Sequence, residues 1–179
     1  WLQYAASAAP NGYADSVGFG YMNSNPTRAI RNAWVQALTG GMAFSASPWN
    51  WSQSNQDALF AAVEFRHALV PYINSAAVDS FETGYPHTMT PLYIAYPDDS
   101  NTYNLANTST DQYQWLVGPS LLAAPFFEGS GNQMDIYLPD GDWIDYHTGI
   151  QYSGGQTLTN FAMDLDRPPV FVGGKGILV

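Results

Sequence analysis

The spacing of hydrophobic residues changes once along this chain. Ala29, Ile30, Ala33, Trp34, Ala37 and Leu38 recur at helical steps of three and four. Asn25 is placed to cap that helix, and Pro26 stands at its first position, where a missing N–H costs nothing. Gly40-Gly41 stops it. A short strand ending in Tyr13-Ala14-Asp15 is expected before the helix, and Met42-Ala43-Phe44-Ser45 opens another strand after it. Residues 12 to 48 therefore read as one βαβ unit of a parallel barrel or open sheet. A longer helix starts at Ser54, an N-cap with Asp57 three residues on, and carries Leu59, Ala62, Val63, Leu69, Ile73 and Ala76. Pro71 is expected to kink it and Gly84-Tyr85-Pro86 to end it.

Beyond that point the helical period gives way to short β runs. These are Leu92 to Tyr96, Trp115 to Ala123, Met134 to Leu138, Trp143 to Tyr146, Thr157 to Phe161 and Val170 to Val172. Turn signals separate them at Pro97-Asp98-Asp99, Asp140-Gly141, Thr148-Gly149, Gly154-Gly155 and Gly173-Gly174. The shift near Gly84 to Pro91 marks a domain boundary, dividing the chain into residues 1–87 and 88–179. The expected fold class is α/β followed by all-β.

Composition narrows the function classes. With 179 residues, 46% of them hydrophobic, the chain can bury a real core. Fifteen acidic residues against five basic ones give a net charge of −10, a surface that repels nucleic acid and anionic membranes. No run of about 18 apolar residues is present to span a bilayer. There is no cysteine, hence no disulfide framework, thiolate nucleophile or cysteine-ligated metal. The 12 Tyr and six Trp either stack on sugar faces with their polar tips wet or fill the core and its edges. Sequons at Asn50-Trp51-Ser52 and Asn107-Thr108-Ser109 suit N-glycosylation of Asn50 and Asn107 in a secreted protein. The opening Trp1-Leu2-Gln3-Tyr4 reads as mid-protein sequence.

Candidate chemistry is sparse. Asp15-Ser16-Val17-Gly18-Phe19 lies at a predicted strand end before a helix, where a barrel enzyme carries its active-site groups. A carboxylate there either hydrogen-bonds sugar hydroxyls or caps a turn. Trp49 and Trp51 follow the next strand and either form a sugar-stacking platform or lid the core. His67 reads as a structural residue of the long helix, while His87 and His147 lack neighbours at metal-ligand spacing. Asp98-Asp99 and Asp140-Gly141-Asp142 read as turn chemistry rather than a calcium loop. Arg167 is expected to pair with Asp164 or Asp166. No metal and no cofactor is expected.

An ordered series of segments resembles glycoside hydrolase family 31, the family of α-glucosidases and α-xylosidases. Ala14-Asp15 to Phe19 is similar to its Asp-(Ile/Val)-Gly-Gly-Phe segment at the seventh barrel strand. Trp34-Val35-Gln36 and Phe44-Ser45 resemble the helix and eighth strand that follow. Arg66-His67-Ala68-Leu69-Val70-Pro71-Tyr72 resembles the Arg-x-x-Leu-x-Pro-Tyr helix that closes the barrel. Pro91-Leu92, Pro97-Asp98-Asp99, Gly118-Pro119-Ser120-Leu121-Leu122 and Asp166-Arg167-Pro168-Pro169-Val170-Phe171-Val172-Gly173-Gly174 resemble successive landmarks of the next domain.

The resemblance implies the C-terminal portion of a (β/α)8 TIM barrel in residues 1–87, followed by an antiparallel β-sandwich in 88–179. It implies hydrolysis of α-O-glycosides with retention, by two aspartates that both lie upstream of the segment matched by Asp15, so no catalytic residue is expected in this chain. Asp15 and Phe19 match positions lining the subsite of the cleaved sugar, and Trp49 joins them. The implied partners are an oligosaccharide or α-glycoside substrate and the N-terminal remainder of the enzyme, as a preceding segment or a separate chain. The chain departs from the family at Ala46-Ser47-Pro48, where Arg-Asn-His is common, at Ser16-Val17, and at Thr90, where an Arg usually precedes Pro-Leu. Those departures point to another sugar, to a family 31-like transglycosylase or to a degenerate site. The rival from another class is a non-catalytic carbohydrate-binding β-sandwich, using Trp143, Tyr146 and Tyr152 on adjacent strands.

Overall fold

A computed structural model describes residues 2–7, 9–12, 16–18, 24–107, 112–125 and 132–174. After a short helix, α1 (Leu2–Ala6), the backbone at Val17 pairs in parallel with that at Phe44. Val17 N–H donates to the Ala43 carbonyl at 2.8 Å, and Ser45 N–H donates to the Val17 carbonyl at 2.9 Å. Helix α2 (Pro26–Ala37) connects them, so the expected crossover is present, with its strand contact a single bridge. The Asn25 side chain accepts from Arg28 N–H at 3.2 Å, satisfying one of the free donors of the first turn. Ala29, Ile30, Ala33, Trp34 and Ala37 form the buried stripe.

Helix α3 (Gln53–Thr83) is 31 residues long. Its N-cap is Ser52 rather than Ser54: Ser52 Oγ accepts from Asn55 N–H at 3.4 Å, with Ser54 Oγ 3.2 Å away. The helix runs through Pro71, which lies on an exposed face where water can reach the His67 carbonyl that the ring leaves without a donor. It ends at Gly84, whose φ of 75° is open to glycine and whose N–H donates to the Ser80 carbonyl.

Strand β1 (Thr90–Pro91) leads directly into α4 (Leu92–Ala95), a helical turn where a strand was expected. The four residues of α4 are too few to show a period, and Leu92, the one of the four that is fully buried, anchors the turn. The rest is short strands: β2 (Ala106–Asn107), β3 (Gln112–Tyr113), β4 (Trp115–Val117), β5 (Leu121–Ala123), β6 (Gln133–Leu138), β7 (Asp142–Asp145), β8 (Gln151–Ser153), β9 (Gln156–Ala162) and β10 (Val170–Gly174). Six form an antiparallel sheet in the order β1-β4-β5-β10-β7-β8, and β6 pairs with β9, β2 with β3. The described part is thus mostly antiparallel sheet with helices beside it.

The six-stranded sheet buries both faces, by the period-two alternation of its strands. Trp115, Val117, Leu121, Ala123 and Val170 join the cluster of α2 and α3, while Leu116, Leu122, Trp143 and Phe171 face β6 and β9. Each buried Val, Leu or Phe among them contributes about 1.5–3 kcal/mol. Indole N–H groups tie the layers: Trp115 Nε1 donates to the Leu38 carbonyl at 2.8 Å, and Trp34 Nε1 to that of Leu165 at 3.1 Å.

Candidate functional site

The parallel bridge brings the segments around Val17 and Phe44 side by side. Just past it, Gly18, at φ 84°, lies against Ala46 so closely that a Cβ would stand 2.5 Å from the Ala46 Cα. Ser45 Oγ reaches the Val17 carbonyl at 3.4 Å. Three residues after Ala46, Trp49 sits in a 3-10 turn (Pro48–Asn50) and is 72% exposed. Its ring is therefore no lid on the core. Trp51 is half-buried and packs against the helical cluster. Of the other expected subsite residues, Asp15 and Phe19 lie outside the described residues.

On the other side of the bridge, two side chains hold the backbone that leads into Phe44. Gln36, fully buried in α2, accepts from Ala43 N–H at 2.9 Å and donates to Asn32 Oδ1 at 2.8 Å. Arg66 of α3 donates to the carbonyls of Thr39 and, at 2.9 Å, Gly40. Its cation complements the negative C-terminal end of α2. Burial lowers the Arg66 pKa, yet a guanidinium stays charged at any physiological pH. In the sequence Arg66 and Gln36 stand out only as members of family-like segments, with no structural role read from either. The signal for Gln36 was a polar residue set in an otherwise apolar stripe.

The remaining candidates separate from this site. His67 is exposed on α3. His147 packs its ring edge-on to Trp34 and Tyr146, with Nε2 3.0 Å from the Pro168 carbonyl. Burial there lowers its pKa, outweighing the Pro168 carbonyl and Asp145, which raise it. Asp99 accepts from Asn101 N–H and the Tyr137 hydroxyl, the turn role expected of it. Arg167 pairs with Asp166 at 3.7 Å, both well exposed. Among the described residues no group of three or more side chains is placed to hold a metal ion.

The aromatic edge proposed for a sugar-binding sandwich does not form. Trp143 and Tyr152 do lie opposite each other on β7 and β8, but Trp143 is fully buried and donates to the Pro139 carbonyl at 2.7 Å. Tyr146 lies edge-on to Phe65 of α3 at 5.1 Å. Asn50 is exposed in its turn. Asn107 falls in β2, and the rest of its sequon, Thr108-Ser109, lies outside the described residues.

Comparison with known proteins places the chain. The model of the glycosyl hydrolase family 31 C-terminal domain matches residues 84–178. Alpha-glucosidase 2 of Bacillus thermoamyloliquefaciens is 34% identical over 125 residues, which cover 70% of this chain and 15% of that protein. The 1,6-alpha-glucosyltransferase of Sporosarcina globispora is 32% identical over 155 residues, covering 80% and 12%. A family 31 dextranase of Flavobacterium johnsoniae, solved in complex with isomaltotriose, superposes with a TM-score of 0.79 at 28% identity, over 96% of this chain and 21% of that one. The chain thus spans between about an eighth and a fifth of the length of these relatives.

Proposed function

The chain belongs to glycosyl hydrolase family 31, and from that premise we propose that it is the C-terminal part of a retaining α-glycosidase acting on α-glucosides or related α-glycosides. Residues 1–87 would be the last elements of a (β/α)8 barrel and 88–179 the sandwich that buttresses it. The supporting observation is the parallel pairing of Val17 with Phe44 across α2, closed by the contact of Gly18 with Ala46. On this reading the exposed Trp49 stands beyond the strand end where a barrel carries its chemistry.

Retention needs two carboxyl groups about 5–5.5 Å apart, one attacking the anomeric carbon and one protonating the leaving oxygen. Both are assigned to polypeptide upstream of Asp15. This chain's role is binding: Asp15 hydrogen-bonds sugar hydroxyls, and Phe19 and Trp49 pack on sugar faces. The test is the complete polypeptide acting on nitrophenyl α-glucoside and α-xyloside, with the first-formed anomer followed by NMR. Retention, with a fall in kcat/KM for Asp15→Asn, supports the reading; an inverted first product or inertness toward both substrates overturns it.

A second reading is transfer instead of hydrolysis. A relative at 32% identity is a glucosyltransferase, and the exposed indole of Trp49 can hold an acceptor sugar where water would otherwise attack. Product analysis at high oligosaccharide concentration separates the two. We also propose export from the cell with a glycan on Asn50 and on Asn107, which mass spectrometry of the secreted protein checks.

A further inference from the structure

Where the last turns of α3 meet the chain that follows α1, a cleft of about 440 Å³ opens to solvent. Small-molecule sites run from roughly 300 to 1,000 Å³, so the space suits a ligand of one or two rings. Tyr4 of α1 and Phe81 of α3 both line it, 63% and 88% exposed. Two large exposed rings on one cleft mark a binding groove as scattered surface residues do not.

The walls are fixed by bonds within the chain. Ala9 N–H donates to the Tyr4 carbonyl at 2.9 Å, folding the segment after α1 back on it. The Asn11 amide donates to the Ala77 carbonyl at 3.4 Å and accepts from the Thr88 hydroxyl. Thr88 is buried, as is Ser80 of the cleft lining, and their hydroxyls stand 3.3 Å apart. Residues 9–12 are thereby tied to α3, and a ligand entering the cleft has little ordering left to do. An amide nitrogen carries two N–H groups, and the second one of Asn11 has no partner among the described residues.

The lining also restricts the occupant. No charged side chain is among the described lining residues, so an ion of either sign would shed water there without meeting a counter-charge. The net charge of −10 disfavours an anion further. Aromatic faces beside an amide donor suit a neutral ring with apolar faces and a hydroxylated rim, which describes a pyranose.

We propose that this cleft is a sugar-binding site, holding a glucosyl stretch of the α-glycan on which the complete polypeptide acts. The choice of glycan rests on the glycosidase reading above. The cleft lies about 40 Å along α3 from the Ser52 cap that follows Trp49. A long chain held there stays near the protein between encounters, a gain of effective concentration that a monoglycoside does not share.

The chain has no cysteine, so an introduced thiol reports on its own position. Ala9→Cys puts one on the cleft wall, and Asp79→Cys, exposed on α3 outside the lining, is the control. Both are made in the complete polypeptide and labelled with a maleimide, with and without excess dextran or soluble starch, each peptide being read by mass spectrometry. The glucan should slow labelling of Ala9→Cys at least threefold and leave Asp79→Cys unchanged. Adding Phe81→Ala or Tyr4→Ala should abolish that protection, with the urea midpoint and hydrolysis of nitrophenyl α-glucoside unaltered. No protection in a protein that cleaves α-glycosides overturns the cleft site and leaves the glycosidase reading intact. No protection in a protein that cleaves none overturns both. A thiol at residue 9 that is inert even without glucan means that upstream polypeptide fills the cleft, and protection that survives both ring variants means that the rings hold no sugar; either result overturns the proposal.

Discussion

The Tyr72 hydroxyl occupies the space that a side chain at Gly118 would need: a Cβ there would lie 2.4 Å from it. It donates to the Val117 carbonyl at 2.9 Å and accepts from Ser120 N–H at 3.1 Å, fastening α3 to the β4–β5 turn. Tyr72→Phe leaves both backbone groups without that partner and should lower stability by about 1–3 kcal/mol. Gly118→Ala adds a residue at φ 61° to the same clash and should cost at least as much. Urea unfolding midpoints read both, and an unchanged midpoint for either would contradict the fastening.

Arg66→Met should destabilise by about 2–3 kcal/mol, because the carbonyls of Thr39 and Gly40 lose a charged donor. Arg66→Lys should recover only part of this, since an ammonium cannot reach both carbonyls as a planar fork does. Thermal unfolding of the two variants side by side gives the comparison.

Trp49→Ala should leave stability within about 0.5 kcal/mol, because a side chain so exposed leaves no cavity behind. On the proposed reading, in the complete polypeptide it should raise KM for oligosaccharides more than for a nitrophenyl monoglycoside. A drop in melting temperature with unchanged KM would assign the indole to the fold instead.

His147 favours its neutral form when folded, because burial holds its pKa below the ordinary value near 6.5. The unfolded chain then binds more protons just under that pH. This contribution is complete above about pH 6.5 and is lost as pH falls through the folded pKa. The melting temperature should drop between pH 7 and 5, and His147→Gln should flatten that part of the curve. The groups facing the ring are Trp34 from α2, Asp145 and Tyr146 from its own turn, and Asp166 and Arg167 from the loop before β10.

Local signals were legible in the sequence. The cap at Asn25, the apolar stripe of α2 and the glycine stop after α3 depend on residues within a turn of each other, and all appear as read. Leu92 to Tyr96 was misread because aromatic and branched side chains suit a strand as well as a pinned helical turn. The contacts that set the site's frame were out of reach for a different reason. Arg66 to Gly40 spans 26 residues and Tyr72 to Ser120 spans 48, and nothing local in either partner specifies the other. Trp143 looked like a surface aromatic beside turn residues until the register opposite Gly173 turned it inward.

Along β10, Val170 and Val172 pack toward the helices while Phe171, between them, packs toward β6 and β9. A gene crossover placed near residue 87 would hand those valines a foreign pair of helices, so the strands are heritable only together with α2 and α3. Chimaeras between family members should accordingly be spliced upstream of Pro26, and those joined at the apparent change of period should be recovered as insoluble protein.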